Sequence, residues 1–367
     1  MNAEKVVMAM SGGVDSSVAA ALLLEKGYNV IGVTMQLWPE AGGAQREGGC
    51  CSLSAVEDAR RVAARLGISY YVMNFKDYFQ EKVIDYFVKE YMEGKTPNPC
   101  IACNRYVKFE ELMRRAHSLG AKFVATGHYA KIRYDKELNR FVLKKSRTRE
   151  KDQTYALYNM TQHQLEHTLM PLGEYTKDET RKIAKGLGLL VADKPDSQEI
   201  CFVDDNDYGS FITNWASREI HGGNFVDTKG NVLGRHRGIV HYTIGQRKGL
   251  GLALGKPVYV VDIDAGDNVV VVGDETELLG QAFIVEDVNY IPFERLENTL
   301  RVKVKIRYSA KPADAEIIPR GENTLEVRLK TPQRAVTPGQ SAVFYKNDLV
   351  VGGGTIKKLI QKLTKMH

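Results

Sequence analysis

The chain has 367 residues, is 43% hydrophobic and 26% charged, and carries a formal net charge of +6. That length suits two or three domains, and no low-complexity run or apolar stretch of roughly 20 residues occurs, which argues against a disordered or membrane-spanning chain. The charge is uneven: residues 281–367 hold 15 Lys+Arg against 9 Asp+Glu, and the rest of the chain balances.

A basic C-terminal quarter points to a polyanion held partly by the last module, although a basic surface kept for solubility would look the same. The start, MNAEKVVMAMSGG, has no apolar core followed by a small-residue cleavage site, so no signal peptide is expected. The five cysteines, Cys50, Cys51, Cys100, Cys103 and Cys201, are few and odd in number. They argue for reduced thiols in a cytoplasmic protein rather than a secreted disulfide scaffold.

In chain order, KVVMAM reads as a short apolar strand and SSVAAALLLEKG as a helix ending at Gly27. NVIGVTMQLW is a second strand. Ser54 to Leu66 reads as a helix, with a capping box from Ser54 to Glu57 and Gly67 past its end. SYYVMNF is a third strand, followed by amphipathic helices near Tyr78–Glu93 and Arg105–Leu119. AKFVATGH is a fourth strand. Alternation of this kind predicts an α/β fold with a doubly wound, mainly parallel sheet over residues 1–205. After about Asp205 glycines become frequent, and residues 206–275 read as a small central domain containing a hairpin, PVYVVDID with NVVVVGD. Residues 276–367 read as short strands and turns, a C-terminal β-barrel.

The first strand runs into Ser11-Gly12-Gly13-Val14-Asp15-Ser16-Ser17 and then a helix. Two glycines let the backbone approach an anion, and the helix start offers free N–H groups and its positive dipole end. Ser11, Ser16 and Ser17 add hydroxyl donors. The stretch is neither a Walker loop nor G-x-G-x-x-G, so a dinucleotide fits poorly. TPNPCIACN poses a second question. Its Cys-x-x-Cys pair suits a metal clip, a redox pair, a catalytic thiol or nothing at all, and with Cys201 as a third cysteine zinc is disfavoured because no fourth Cys or His shows metal spacing.

SGGVDSS resembles the PP-loop of the ATP pyrophosphatase superfamily. Together with TPNPCIACN, ATGHYA, KDQTYAL, DSQEICFV, HYTIGQRKGLG, RVKVKIRY, AVTPGQSAVFY and GGGTI, it resembles the tRNA-specific 2-thiouridylase family over nearly the whole chain. The resemblance implies ATP with Mg²⁺, a tRNA with a modifiable wobble uridine, and a sulfur donor, either a cysteine desulfurase or a relay protein. It implies that ATP adenylates the C2 oxygen of uracil and that sulfur displaces AMP. Cys201 would carry that sulfur as a persulfide; Cys103 would help deliver it and then form a disulfide with Cys201. Read without the resemblance, Cys201 is a small buried residue between Ile200 and Phe202. Cys103 is expected to open the Arg105–Leu119 helix, where the dipole favours a thiolate.

By the same resemblance Ala9, Met10, Ser11, Gly12, Gly13, Val14, Asp15 and Ser16 would hold the phosphates, and Met35 and Gly127 would border the adenosine. His128, Lys151, Asp152, Gln153, Arg307, Tyr308 and Gln340 would meet the tRNA, and Asn98, Pro99 and Cys100 would lie against the target base. Many relatives have an acid at the position of Cys100. Here Cys100, Cys103 and Cys201 could instead hold a [4Fe–4S] cluster that binds hydrosulfide.

The tail supplies a basic grip. In TLRVKVKIRYS, Val302, Val304, Ile306 and Tyr308 alternate with Arg301, Lys303, Lys305 and Arg307, which predicts a strand with a wholly basic face. Arg237, His241, Arg247 and Lys248 would add to it. Two competing readings remain: a small-molecule PP-loop ligase using ammonia, which needs neither the cysteines nor the basic tail, and an RNA-binding protein with a degraded nucleotide site.

Overall fold

The computed structural model describes residues 3–37, 52–195, 200–203, 207–216 and 219–362. Cys50, Cys51 and the Asp196–Glu199 part of DSQEICFV lie outside them.

The first half runs β1 (Lys5–Ala9), α1 (Val14–Glu25), β2 (Asn29–Gln36), α2 (Leu53–Leu66) and β3 (Ser69–Asn74). Helix α3 then runs through Lys76–Phe79, Gln80–Asp85 and Tyr86–Met92, and α4 through Pro99–Ala102, Cys103–Glu111 and Leu112–Ser118. The middle part of each is wound with wider, π-type turns. After them come β4 (Phe123–Ala125), the hairpin β5 (Ala130–Asp135) and β6 (Arg140–Lys145), the short helix α5 (Gln162–Glu166), β7 (Thr168–Leu169) and α6 (Lys177–Gly186).

Five of these strands make one sheet in the order β3-β2-β1-β4-β7, with every pairing parallel. Val6, Val7 and Met8 of the central strand are fully buried. Helices cover both faces, so an unbroken apolar run is what such a strand requires. The order reverses between β1 and β4, and ligands of open α/β sheets sit in that crevice, at the carboxyl ends of the strands. The loop after β1 holds the expected phosphate site, and the loop after β4 holds Gly127 and His128.

Two helix starts differ from expectation. Ser52, not Ser54, caps α2: its hydroxyl accepts from the Ala55 N–H at 3.1 Å. Helix α4 begins six residues before Arg105. Asn98 caps it by accepting from Cys100 N at 3.1 Å and Ile101 N at 3.4 Å, and Pro99 occupies the first helical position. The prolines that look like loop stiffeners are therefore helix-start signals.

The central part holds α7 (Tyr208–Trp215) and the strands β8 (Gly223–Val226), β9 (Val232–His236), β10 (Tyr259–Asp264) and β11 (Val269–Gly273) in the order β10-β11-β8-β9. The β10–β11 pair is the antiparallel hairpin anticipated from PVYVVDID and NVVVVGD.

The last part comprises β12 (Leu279–Tyr290), β13 (Leu300–Lys305), β14 (Ala313–Gly321), β15 (Thr324–Arg334), β16 (Ser341–Lys346) and β17 (Leu349–Lys362). These six close into an antiparallel barrel through the β12–β17 pairing. The β5–β6 hairpin, which the sequence reading did not identify, extends this sheet by pairing with β17. A core of Ile101, Phe109, Tyr155, Tyr158, Val343 and Tyr345 then joins α4 to the barrel. Within it the buried Tyr155 hydroxyl donates to the Ser341 carbonyl at 2.8 Å. Tyr155→Phe is expected to cost about 1 kcal/mol in urea unfolding, because the acceptor is left buried and unpaired.

Candidate active site

The phosphate loop is preorganised. Gly12 has φ +67°, and a Cβ there would lie 2.2 Å from the Ala55 carbonyl oxygen of α2. Gly13 is the N-cap of α1 and supplies no side-chain cap, so the first N–H groups of the helix remain available to an oxyanion. Ser16 and Ser17 donate their hydroxyls to the Gly13 carbonyl at 3.1 and 2.8 Å, and the Ser16 hydroxyl accepts from Ser11 N–H at 3.2 Å. These bonds hold the turn against the helix start. Ser11 is exposed at its rim. Ala9 ends β1, while the Met10 carbonyl accepts from Thr34 at 2.7 Å.

The Asp15 carboxylate turns away from this role. It takes both oxygens to Lys177 Nζ at 2.8 Å and accepts from the Tyr129 hydroxyl at 2.8 Å. Asp15 therefore fastens α1 to α6 and to the segment after β4. Lys194 approaches from the other side and donates to the Gly12 carbonyl at 3.2 Å and to Asp58 at 2.8 Å. The sequence reading missed Lys177, Lys194 and Tyr129. Lys194 lies in the polar DKPDSQ stretch and Tyr129 in ATGHYA, but no local signal marks Lys177, which is far from the loop in sequence.

Gly127 touches the same helix start. A Cβ there would lie 2.7 Å from Ser16 N. Met35 sits near the end of β2, half-buried and paired with Met73. His128 accepts or donates a 2.8 Å bond to Thr126 through Nδ1 and lies 6.1 Å from the Phe109 ring. Burial, and then the charge of Lys108, holds its imidazole well below its ordinary pKa, so it is neutral at physiological pH. Lys108 in turn donates to Asn104 at 2.9 Å.

Asn98 and Pro99 start α4, and Cys100 follows them in its first turn, exposed to solvent. Cys103 stands one turn further in and is half-buried. The earlier helix start corrects the expectation that Cys103 opens the helix. The dipole's influence falls off within the first turn, so it acts mainly on Cys100. Cys103 instead begins the widened part of α4, a feature common at functional sites. Spaced i,i+3, both thiols share a helix face.

Cys201 is exposed, not the small buried residue its neighbours imply. The adjacent Phe202 is the buried anchor, packing 5.8 Å from Phe79 and 5.3 Å from both Phe87 and Phe211. Cys103 packs against the same core that holds Phe202.

The barrel clamps the loop before α4. Gln340 donates to the Thr96 carbonyl at 2.8 Å, and Thr96 N–H donates to the Pro338 carbonyl at 2.9 Å. Gln340 thus acts on the presentation of Asn98 and Cys100. Gln340→Ala is expected to lower turnover several-fold with the KM for ATP unchanged, as read by steady-state kinetics.

Three family profiles match in series. One described as the tRNA methyl transferase HUP domain covers residues 4–205, one described as the tRNA methyl transferase PRC-barrel domain covers 210–274, and one described as the aminomethyltransferase beta-barrel domain covers 280–356. The chain is 62% identical over 359 residues to the curated tRNA-specific 2-thiouridylase MnmA of Acetivibrio thermocellus, covering 97% of this chain and 100% of that one. It is 59% identical over 361 residues to that of Clostridium perfringens (98% and 100% covered), and 58% identical over 355 residues to that of Clostridioides difficile (97% and 98% covered). The chain belongs to the tRNA-specific 2-thiouridylase family.

The residues expected to meet RNA in a 2-thiouridylase fall into two groups. Lys151, Asp152 and Cys100 each lie within electrostatic reach of Tyr308. Tyr308 is exposed in the turn after β13, and Lys305 Nζ sits over the rings of Tyr155 and Tyr308 at 5.6 and 5.3 Å. Burial draws the Lys305 pKa below its ordinary value. Asp152 is engaged, accepting from Ser146 N–H at 3.0 Å and from the Thr154 hydroxyl at 2.6 Å. Gln153 bonds the Tyr129 backbone in both directions, accepting from its N–H at 2.9 Å and donating its own N–H to its carbonyl at 3.1 Å. It braces the segment after His128. No helix among the described residues is long and apolar enough to cross a membrane.

The basic strand differs from expectation. Strand β13 ends at Lys305, leaving Arg307 and Tyr308 in the following turn. Arg301 donates to Glu316 at 3.2 Å and Lys303 to Asp314 at 2.8 Å, each directly across from its partner on β14. The strand looked wholly basic because its acids come from the neighbouring strand. His241 is also turned inward: Gly209 is so close that a Cβ there would overlap its Nδ1. Arg237, Arg247 and Lys248 are exposed.

Proposed function

We propose that this protein 2-thiolates the wobble uridine of tRNA, using ATP with Mg²⁺ and releasing AMP and pyrophosphate. One observation carries the reading: an intact phosphate loop at the sheet's switch point shares the chain with a cysteine helix that the barrel holds in place. The loop's N–H groups bind the phosphates. The uracil C2 oxygen attacks the α-phosphorus and pyrophosphate leaves. Mg²⁺ bound with the nucleotide would neutralise phosphate charge, and the Asp15 carboxylate, committed to Lys177 and Tyr129, would not be the group that holds it.

Cys201 carries a persulfide taken from a cysteine desulfurase or relay protein. Its exposure suits that loading step. The terminal sulfur attacks C2, the C2–O bond breaks and AMP departs. The Cys103 thiolate then attacks the Cys201 sulfur; the transferred sulfur stays on C2, and a Cys103–Cys201 disulfide remains for a cellular thiol to reduce. Asn98, Pro99, Cys100 and His128 face the base. Lys151, Arg307 and Tyr308 contact the backbone, with the uridine splayed out of its stack at a cost of a few kcal/mol. The neutral His128 offers hydrogen bonds without charge. Such a reaction on tRNA with reduced thiols belongs in the cytoplasm.

The shared helix face of Cys100 and Cys103 favours a second reading. Together with Cys201 they would supply three thiolates to a [4Fe–4S] cluster, leaving one iron open to hydrosulfide. Anaerobic purification separates the routes: stoichiometric iron whose removal abolishes activity would overturn the persulfide. The activity itself is tested by incubating the protein with ATP, Mg²⁺, a sulfur source and tRNA, then digesting and weighing the nucleosides. The expected product is 2-thiouridine; its absence under every sulfur supply would refute the proposal.

A further inference from the structure

A second group of ligating side chains lies away from the phosphate loop and the cysteines. His163, Glu166 and His167 occupy α5 and its C-cap, just before β7. One ligand atom from each lies within 4.8 Å of the other two. His163 and His167 are i,i+4 neighbours with ring centroids 4.3 Å apart. His117, in the last turn of α4, brings a third imidazole from a different element, 5.8 Å from His163 and 5.4 Å from His167.

Hydrogen bonding sets which nitrogens are available. His167 Nδ1 lies 2.9 Å from the His163 carbonyl. A carbonyl only accepts, so Nδ1 carries the proton and Nε2 presents a lone pair. His117 bonds to the Lys122 backbone, and its Nε2 is buried without a hydrogen-bond partner. A ring N–H on a carbonyl with the other nitrogen open is the usual condition of a metal-ligating histidine. A tetrahedral ion with bonds of about 2.1 Å holds its ligands roughly 3.4 Å apart. Exposed His163 and Glu166 can close that gap by rotamer changes.

We propose that His163, Glu166 and His167, joined by His117, bind a divalent transition ion of the zinc type. Imidazole nitrogens with one carboxylate suit such an ion better than calcium or magnesium. The ion would clip the C-terminal end of α4 to the segment that enters the edge strand β7. Cys103 stands 14 residues up the helix from His117, roughly 20 Å away. The clip therefore steadies the helix that presents the cysteines without entering the sulfur chemistry.

The full chain, stripped of metal, is titrated with Co²⁺ and separately with Zn²⁺. Cobalt reports its donors, because thiolate ligation adds a near-ultraviolet charge-transfer band and nitrogen or oxygen ligation does not. The expected result is one equivalent of Co²⁺ with d–d bands and no thiolate band, lost in His163→Ala/His167→Ala. Zn²⁺ is expected to raise the Tm of the wild type by several degrees and to leave that variant unmoved. His117→Gln is expected to weaken affinity about 10-fold or more. The metal-free Tm of each variant, matched to that of the metal-free wild type, shows that it folds. Equal metal binding by wild type and double variant, or a purely thiolate spectrum, would overturn the site. Unchanged affinity in His117→Gln would remove His117 from it.

Discussion

Gly12→Ala is expected to lower ATP-dependent product formation by about 100-fold or more. Residue 12 sits at φ +67°, and an added Cβ would stand 2.2 Å from the Ala55 carbonyl oxygen. No real contact is that short, and the atom it meets is backbone. The left-handed conformation costs a non-glycine residue roughly 1–2 kcal/mol before the collision is counted. The chain must therefore move, and it moves where the phosphates bind. A displacement of 1 Å in a positioned reactant can cost on the order of 100-fold in rate. Gly13→Ala is the control, because its φ is −101° and its Cβ would meet only the Ser11 hydroxyl, at 3.4 Å. It is expected to stay within a few-fold of wild type. Pyrophosphate release measures the chemistry in both variants, and thermal unfolding measures the strain.

Cys103→Ser is expected to lower 2-thiouridine formation by about 1000-fold while pyrophosphate release persists. A serine hydroxyl is not ionised at neutral pH and cannot resolve a persulfide. Cys100→Ser discriminates between the two sulfur routes. Under the persulfide route Cys100 only borders the base, so the variant retains most activity, and Cys100→Asp restores the residue type that resemblance assigns to many relatives. Under the cluster route any of the three serine variants loses both iron and product. The measurement is the nucleoside yield, taken alongside iron content.

The parallel sheet and the phosphate loop were legible because their signals are local. An apolar run followed by two glycines and a helix start says where the chain turns and what it can bind. The barrel was legible as strands and turns, and its closure became visible only from the β12–β17 pairing. The start of α4 was misread because Asn98 and Pro99 look like a loop until the cap bonds are seen. The hairpin β5–β6 was missed, and its partner β17 lies some 200 residues away in sequence. Lys177 at Asp15 is likewise a long-range pairing, whereas Glu316 and Asp314 lie near Arg301 and Lys303 in sequence and were missed because only the β13–β14 register sets them directly opposite. The cysteine roles depend on resemblance as much as on geometry, since exposure distinguishes Cys201 from a core residue but does not assign it a task.

The most direct test follows one sulfur atom. The protein is loaded with isotopically labelled sulfur, freed of the donor, and given ATP, Mg²⁺ and tRNA for a single turnover. The account predicts labelled 2-thiouridine in an amount approaching the enzyme present, together with a Cys103–Cys201 disulfide, and neither product from Cys201→Ser. Full transfer of label by Cys201→Ser would contradict it.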